Sequence, residues 1–149
     1  IVDVLKFREK VFPIGRLDKE SRGLLILTND GRITKRLLSP EYDHEKEYEV
    51  KVNKPLRDGF LNQMRKGVKL EDFTTKPSKV EEIGENSFSI ILTEGKRHQI
   101  RRMCTSFGYE VRDLKRIRIM NVRLSKTPEG GYREILGKEL SDFLKSLGL

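Results

Sequence analysis

The sequence has one cysteine, Cys104, and only two histidines, His44 and His98. A lone thiol forms no internal disulfide and points to a reducing, cytoplasmic setting. The two histidines stand far apart with no second cysteine, so the matched ligand spacing of a structural zinc site is missing. No apolar run approaches the roughly 20 residues that span a bilayer. Asp3, Lys6, Arg8, Glu9 and Lys10 break up any signal-peptide core. No glycine-rich phosphate loop precedes a helix, which leaves nucleotide hydrolysis and dinucleotide binding without support. Nothing in the spacing gathers a Ser/His/Asp set, and no helix-turn-helix or basic-zipper pattern appears. Any enzyme built on this sequence is expected to work without a cofactor or metal.

Charge is what the sequence has in abundance. Charged residues make up 36% of the chain, equal to the hydrophobic share, and the 149 residues suit one domain with one sizeable core. The net charge of +8 and pI of about 9.6 suggest a polyanionic partner. From Glu94 to Arg123 there are nine basic residues against three acids, so this stretch carries +6 of the +8. Seven of the nine are arginine, the better side chain for planar phosphate and base recognition. No long basic amphipathic helix favours a membrane surface instead.

Patterning predicts interspersed helices and strands without a βαβ rhythm. Ile1 to Phe7 reads as a short helix, and Pro13 and Gly15 as a loop. Gly23 to Thr28 is a continuous apolar run, expected to be one buried strand. Asn29-Asp30-Gly31 is a turn, followed by a helix over Arg32 to Leu38 with Ile33, Leu37 and Leu38 inward. Glu47 to Asn53 alternates cleanly as a half-buried strand. Leu56 to Lys66 reads as a helix, and Lys79 to Ile83 and Ser87 to Thr93 as paired strands. His98 to Phe107 has Ile100, Met103, Cys104 and Phe107 on one helical face, with Gly108 as a cap. One or two strands fill Tyr109 to Leu124, a short strand Tyr132 to Leu136, and a closing helix Lys138 to Leu147. The expected class is α+β around one mostly antiparallel sheet.

Three places offer chemistry. Asp18, in Gly15-Arg16-Leu17-Asp18, becomes a nucleophile if held ionised and dry, though an isolated aspartate in such a loop is more often a turn or salt-bridge residue. Tyr48 on its alternating strand is either core or a flat face and hydroxyl for a base. In Glu94 to Met103 a helix needs Ile100 and Met103 inside. Arg97 and Arg101 then share a face at i, i+4, where like charges repel and either an anion lies between them or the face is simply solvated. Gly95 just before this helix permits close approach of a backbone or phosphate.

The stretch Pro13 to Gly31, the Lys46-Glu47-Tyr48 strand, and Glu94-Gly95 through Gln99-Ile100-Arg101-Arg102-Met103 resemble, in order, the three motifs of the RsuA/RluB/RluE/RluF family of ribosomal RNA pseudouridine synthases. Asp43 to Tyr48, Arg101 to Cys104 with Phe107 to Val111, and Arg118 to Val122 are similar to its RluF branch. The resemblance implies a pseudouridine synthase fold and an enzyme that flips a uridine out of a stem-loop of 23S ribosomal RNA, with tRNA as a further substrate. It implies that Asp18 is the catalytic aspartate, that Tyr48 stacks on the uracil, and that Arg101 pairs with the Asp18 carboxylate. Ile100 packs near the base, and Arg16 supports the surroundings of the flipped nucleotide. Lys46, Lys96, Arg97, Gln99 and Arg102 follow as RNA-contact candidates.

The family also carries an S4 RNA-binding domain and an opening Asn-Lys-Pro-x-Gly strand, neither of which this sequence contains. The expectation is a catalytic domain over residues 1–149, trimmed at its N-terminal side and monomeric when intact. The alternative reading is a non-catalytic RNA- or ribosome-binding module on the same fold.

Overall fold

The computed structural model describes residues 10–15, 17–39 and 44–149. The helix expected over Ile1 to Phe7 and the residue Arg16 lie outside these. Alternation dictates the centre of the molecule. Strand β4 (Lys46–Val52) buries Val50 and Val52 and directs Glu49 and Lys51 to solvent. Strand β6 (Ser87–Leu92) likewise buries Phe88, Ile90 and Leu92. These two pair antiparallel, with β5 (Lys79–Gly84) on the far side of β6 and β7 (Val111–Ile119) on the far side of β4. The other edge of β7 takes two short strands: β2 (Arg22–Gly23), parallel, and β8 (Val122–Arg123), antiparallel. The expected α+β class with a mostly antiparallel sheet is therefore observed.

Two apolar cores sit on this frame. The larger packs β4, β6 and Val80 against helix α2 (Phe60–Lys66) and helix α3 (Gln99–Ser106), through Phe60, Met64, Ile100, Met103 and Cys104. Phe60 meets Phe88 and Phe107 edge-on at 5.8 and 5.7 Å between ring centroids, the quadrupole-favoured arrangement. The smaller core joins Ile14 of β1 (Phe12–Ile14), Ile26 of β3 (Ile26–Thr28), helix α1 (Gly31–Leu38) and helix α4 (Gly137–Ser146) to Ile119 and Val122.

Several expectations are corrected. Gly23 to Thr28 is not one strand. Gly23, at φ +116°, lies so close to β7 that a Cβ there would sit 2.2 Å from the Arg116 carbonyl oxygen. Past it the chain leaves the large sheet, and Ile26–Thr28 pairs with β1 instead. Phe12–Ile14, read as loop, is therefore a strand. Leu38 is 54% exposed rather than inward, because the buried stripe of α1 is Ile33 and Leu37. Helix α2 starts only at Phe60, since the Leu56 and Arg57 amides donate to the Glu85 carbonyl and the Tyr109 hydroxyl. Tyr132 to Leu136 forms no strand, and both end residues are exposed.

Candidate active site

The loop between β1 and β2 carries Asp18 from the smaller core to the edge of the large sheet. Its geometry is set from three directions. Within the loop, the Ser21 amide donates to the Asp18 carbonyl at 2.9 Å, closing a turn. From β7, the Arg116 guanidinium donates through Nε to the Leu24 carbonyl at 2.9 Å and through Nη2 to the Gly15 carbonyl at 3.3 Å. From α3, Arg101 Nη2 donates to the Glu20 carbonyl at 2.9 Å.

Arg101 thus reaches the loop that bears Asp18 without forming the ion pair with its carboxylate that the resemblance implied. Its guanidinium is taken up by the Glu20 carbonyl, two residues beyond Asp18. The Arg101 Nε is buried and has no hydrogen-bond partner among the described residues. The group that meets the carboxylate is His98, whose Nε2 lies 3.6 Å from Asp18 Oδ1. His98 is the residue before α3 and adopts φ +52°, a left-handed conformation uncommon outside glycine. The helix expected from His98 starts only at Gln99. For the same reason Arg97 and Arg101 share no helical face. The Arg97 carbonyl instead accepts from Arg102 Nε at 3.1 Å.

Tyr48 on β4 stands directly opposite Arg116 on β7. Directly opposed residues project to the same sheet face. The Arg116 side chain runs under the Asp18 loop, so the loop and the half-buried Tyr48 ring belong to one face. Lys46 begins the same strand. Burial, and then the neighbouring Arg116 charge, hold its ammonium pKa below the ordinary value.

The remaining candidates separate into inner and outer residues. Gln99 is only 4% exposed, with Oε1 accepting from the Lys96 amide at 3.3 Å and Nε2 donating to Glu94 Oε2 at 3.0 Å. It braces the entry to α3 and faces no open surface. Ile100 is core. Lys96 and Arg97 are exposed, and Arg102 is half-exposed. Arg102 pairs with Asp72 at 2.7 Å and lies 5.3 Å from the Phe73 ring centroid, with the Lys96 ammonium at 5.8 Å from the same ring. The basic run is also less available than its charge suggested. Arg116 is 2% exposed, and Arg118 is spent on Glu47 at 2.9 Å and Glu45 at 3.1 Å.

A cavity of about 960 Å³ borders Leu17, Ser21, Leu24, Pro128 and Ile135, but not Asp18, Tyr48 or His98. A shallower hollow, about 360 Å³, is lined by His98, Arg101, Arg102 and Leu70. No group of three or more metal-ligating side chains occurs among the described residues. No helix among them is long and apolar enough to cross a membrane.

Residues 5–106 match the family described as RNA pseudouridylate synthase. The chain is 48% identical over 145 residues to the dual-specificity RNA pseudouridine synthase RluF of Shigella flexneri, covering 97% of this chain and 50% of that protein. The RluF of Escherichia coli strain K12 matches with the same identity and coverage. The chain therefore spans about half the length of these curated relatives. A crystal structure of a pseudouridylate synthase superposes with a TM-score of 0.86 at 31% identity, covering 96% of this chain and 64% of that one. On these grounds, and with the fold they share, the chain belongs to the RNA pseudouridylate synthase family.

Proposed function

We propose that this protein isomerises a uridine to pseudouridine in a stem-loop of 23S ribosomal RNA, with a tRNA stem-loop as a second substrate, and that Asp18 is its nucleophile. The observation that carries the reading is the Tyr48–Arg116 pair. It seats the Asp18 loop and an aromatic ring on one sheet face, as a flipped base needs. Its near-half identity to dual-specificity RluF proteins supports the two substrate classes.

The chemistry balances without a cofactor. The N1–C1′ bond of the uridine breaks, the uracil turns, and a C5–C1′ bond forms. The C5 hydrogen leaves as a proton and N1 takes one up, so the product is an isomer and no redox partner is needed. Attack of the Asp18 carboxylate at C1′, its attack at C6, and its assistance of elimination to a glycal are the three routes open. Tyr48 holds the base by its face. Lys96, Arg97 and Arg102 hold phosphates around it. Arg101 keeps the turn after Asp18 in place through the Glu20 carbonyl. The protein works as a monomer in the cytoplasm, where its RNA resides.

Release of the C5 hydrogen from RNA labelled at that position tests the reading. Wild type is expected to release it stoichiometrically with product, and Asp18→Asn to release none. Equal release by Asp18→Asn, or none by the wild-type protein with either RNA class, rejects it in favour of a non-catalytic RNA-binding module.

A further inference from the structure

Arg116 was counted in the sequence among nine basic residues of an anion-binding stretch. In the fold it is turned inward. Its side chain is 2% exposed, and its guanidinium is directed at two backbone carbonyls of the chain itself, those of Gly15 and Leu24. Gly15 is the first residue of the loop that carries Asp18, and Leu24 directly follows β2, the two-residue strand at the loop's exit. The Arg116 backbone takes part as well, since the Leu24 amide donates to its carbonyl at 2.8 Å and Gly23 pairs with it in parallel register.

We propose that Arg116 is the positioning residue of this site, a clamp that closes both ends of the Asp18 loop against the strand facing Tyr48. The inference rests on the reading of Asp18 as nucleophile and adds a residue to it. Three observations carry it. First, one guanidinium satisfies two carbonyls that are distant along the chain, which removes the loop's freedom to pivot about either end. Second, the same residue is the direct cross-strand neighbour of Tyr48, so the clamp fixes the distance between loop and ring and does not merely fix the loop. Third, Gly23 at φ +116° leaves no room for a Cβ against the Arg116 backbone, so the loop's exit is fitted to that position. Neither Arg101 nor His98 does this. Arg101 holds only the middle of the loop, and His98 touches only the carboxylate.

A misplacement of about 1 Å costs on the order of a hundredfold in a reaction that depends on aligned atoms. The test uses the full protein with Arg116→Met and Arg116→Lys. RNA affinity, single-turnover rate at saturating RNA and amide exchange are measured for each. For Arg116→Met the rate is expected to fall about a hundredfold, with RNA Kd within about threefold. Exchange over 15–24 should accelerate while β4 and β6 stay protected. Arg116→Lys, whose single ammonium reaches one carbonyl well, should recover roughly tenfold of the rate. A rate within about threefold of wild type overturns the proposal. So does RNA affinity lost in step with rate, or exchange rising equally in β4, β6 and 15–24, which would make Arg116 an ordinary core arginine. If Arg116→Met does not fold, Arg116→Lys decides on the same readouts. A wild-type protein without activity would reject the Asp18 reading alone, because the exchange pattern of 15–24 still reports on the clamp.

Discussion

The imidazole of His98 faces the carboxylate of Asp18, with Nε2 3.6 Å from Oδ1, although the two residues belong to different elements and no motif joins them. Both side chains are more than a third exposed. Solvent therefore screens the contact, and such pairs contribute about 0–1 kcal/mol.

His98→Ala is accordingly expected to slow single-turnover isomerisation by less than about tenfold and to leave the melting temperature within about 2 °C. Asp18→Asn in the same assay should be inactive. A loss of a hundredfold or more in His98→Ala would place the imidazole in the chemistry.

Arg102 and Asp72 give a prediction about RNA binding. Their 2.7 Å contact occupies a guanidinium that also lies over Phe73 beside the Lys96 ammonium. Asp72 is 63% exposed, so a phosphate oxygen can take its place at little cost. Asp72→Asn should tighten RNA binding at low salt about two- to fivefold, and Arg102→Ala should weaken it and flatten the log–log salt slope by about 1. Unchanged slopes in both variants would assign Arg102 to a structural role.

Cys104 is buried in the larger core, and that burial pushes its thiol up to about 12, against a smaller opposing influence from Arg101. At pH 8 only about one molecule in ten thousand then carries the thiolate. The native protein should resist iodoacetamide for hours and react within minutes in denaturant. Rapid alkylation of the native protein would show that α3 opens.

The legible parts of this molecule were those in which one side chain after another obeyed a period. Tyr48, Val50 and Val52 announced β4, and Ile100, Met103 and Cys104 announced α3, because burial on one face repeats in the sequence. What could not be read were positions defined by a single contact. Strands of two or three residues have no period, so β1, β2 and β3 merged into a loop and one apolar run. The turning point is the conformation of Gly23, which its identity allows but does not declare. Arg116 and Arg118 looked like surface charge since nothing in an arginine's spacing reveals that carbonyls or Glu45 and Glu47 await it inside. Gln99 and Arg102 are adjacent to motif residues, yet one braces the backbone from inside and the other lies outside. Arg101 was expected at the Asp18 carboxylate and instead holds the Glu20 carbonyl, a difference of two residues along one turn.

Acid stability follows from the clasp at the exit of the Asp18 loop. Arg22 in β2 donates to both carboxylate oxygens of Asp113 in β7, at 2.9 and 2.8 Å. This bidentate hydrogen bonding holds the Asp113 carboxyl below its ordinary value, and Arg133 does the same for Glu139. A carboxyl lowered in the folded state adds stability at pH values above its unfolded pKa, about 3.9 for aspartate, and loses it as pH falls through the folded value. The melting temperature should therefore be flat from pH 7 to about 5 and fall below about 4. Because Arg22 and Asp113 are both exposed by more than a third, the clasp contributes less than about 1 kcal/mol. Arg22→Ala should lower the neutral melting temperature by a few degrees at most and make the acid fall shallower, so that the two proteins converge once the pH lies below the folded value of Asp113. The protection of the 15–24 amides, taken relative to the intrinsic exchange rate at each pH, should fall with acid in wild type and already be lower at neutral pH in Arg22→Ala. Parallel melting curves at every pH would show that the clasp is not formed in solution.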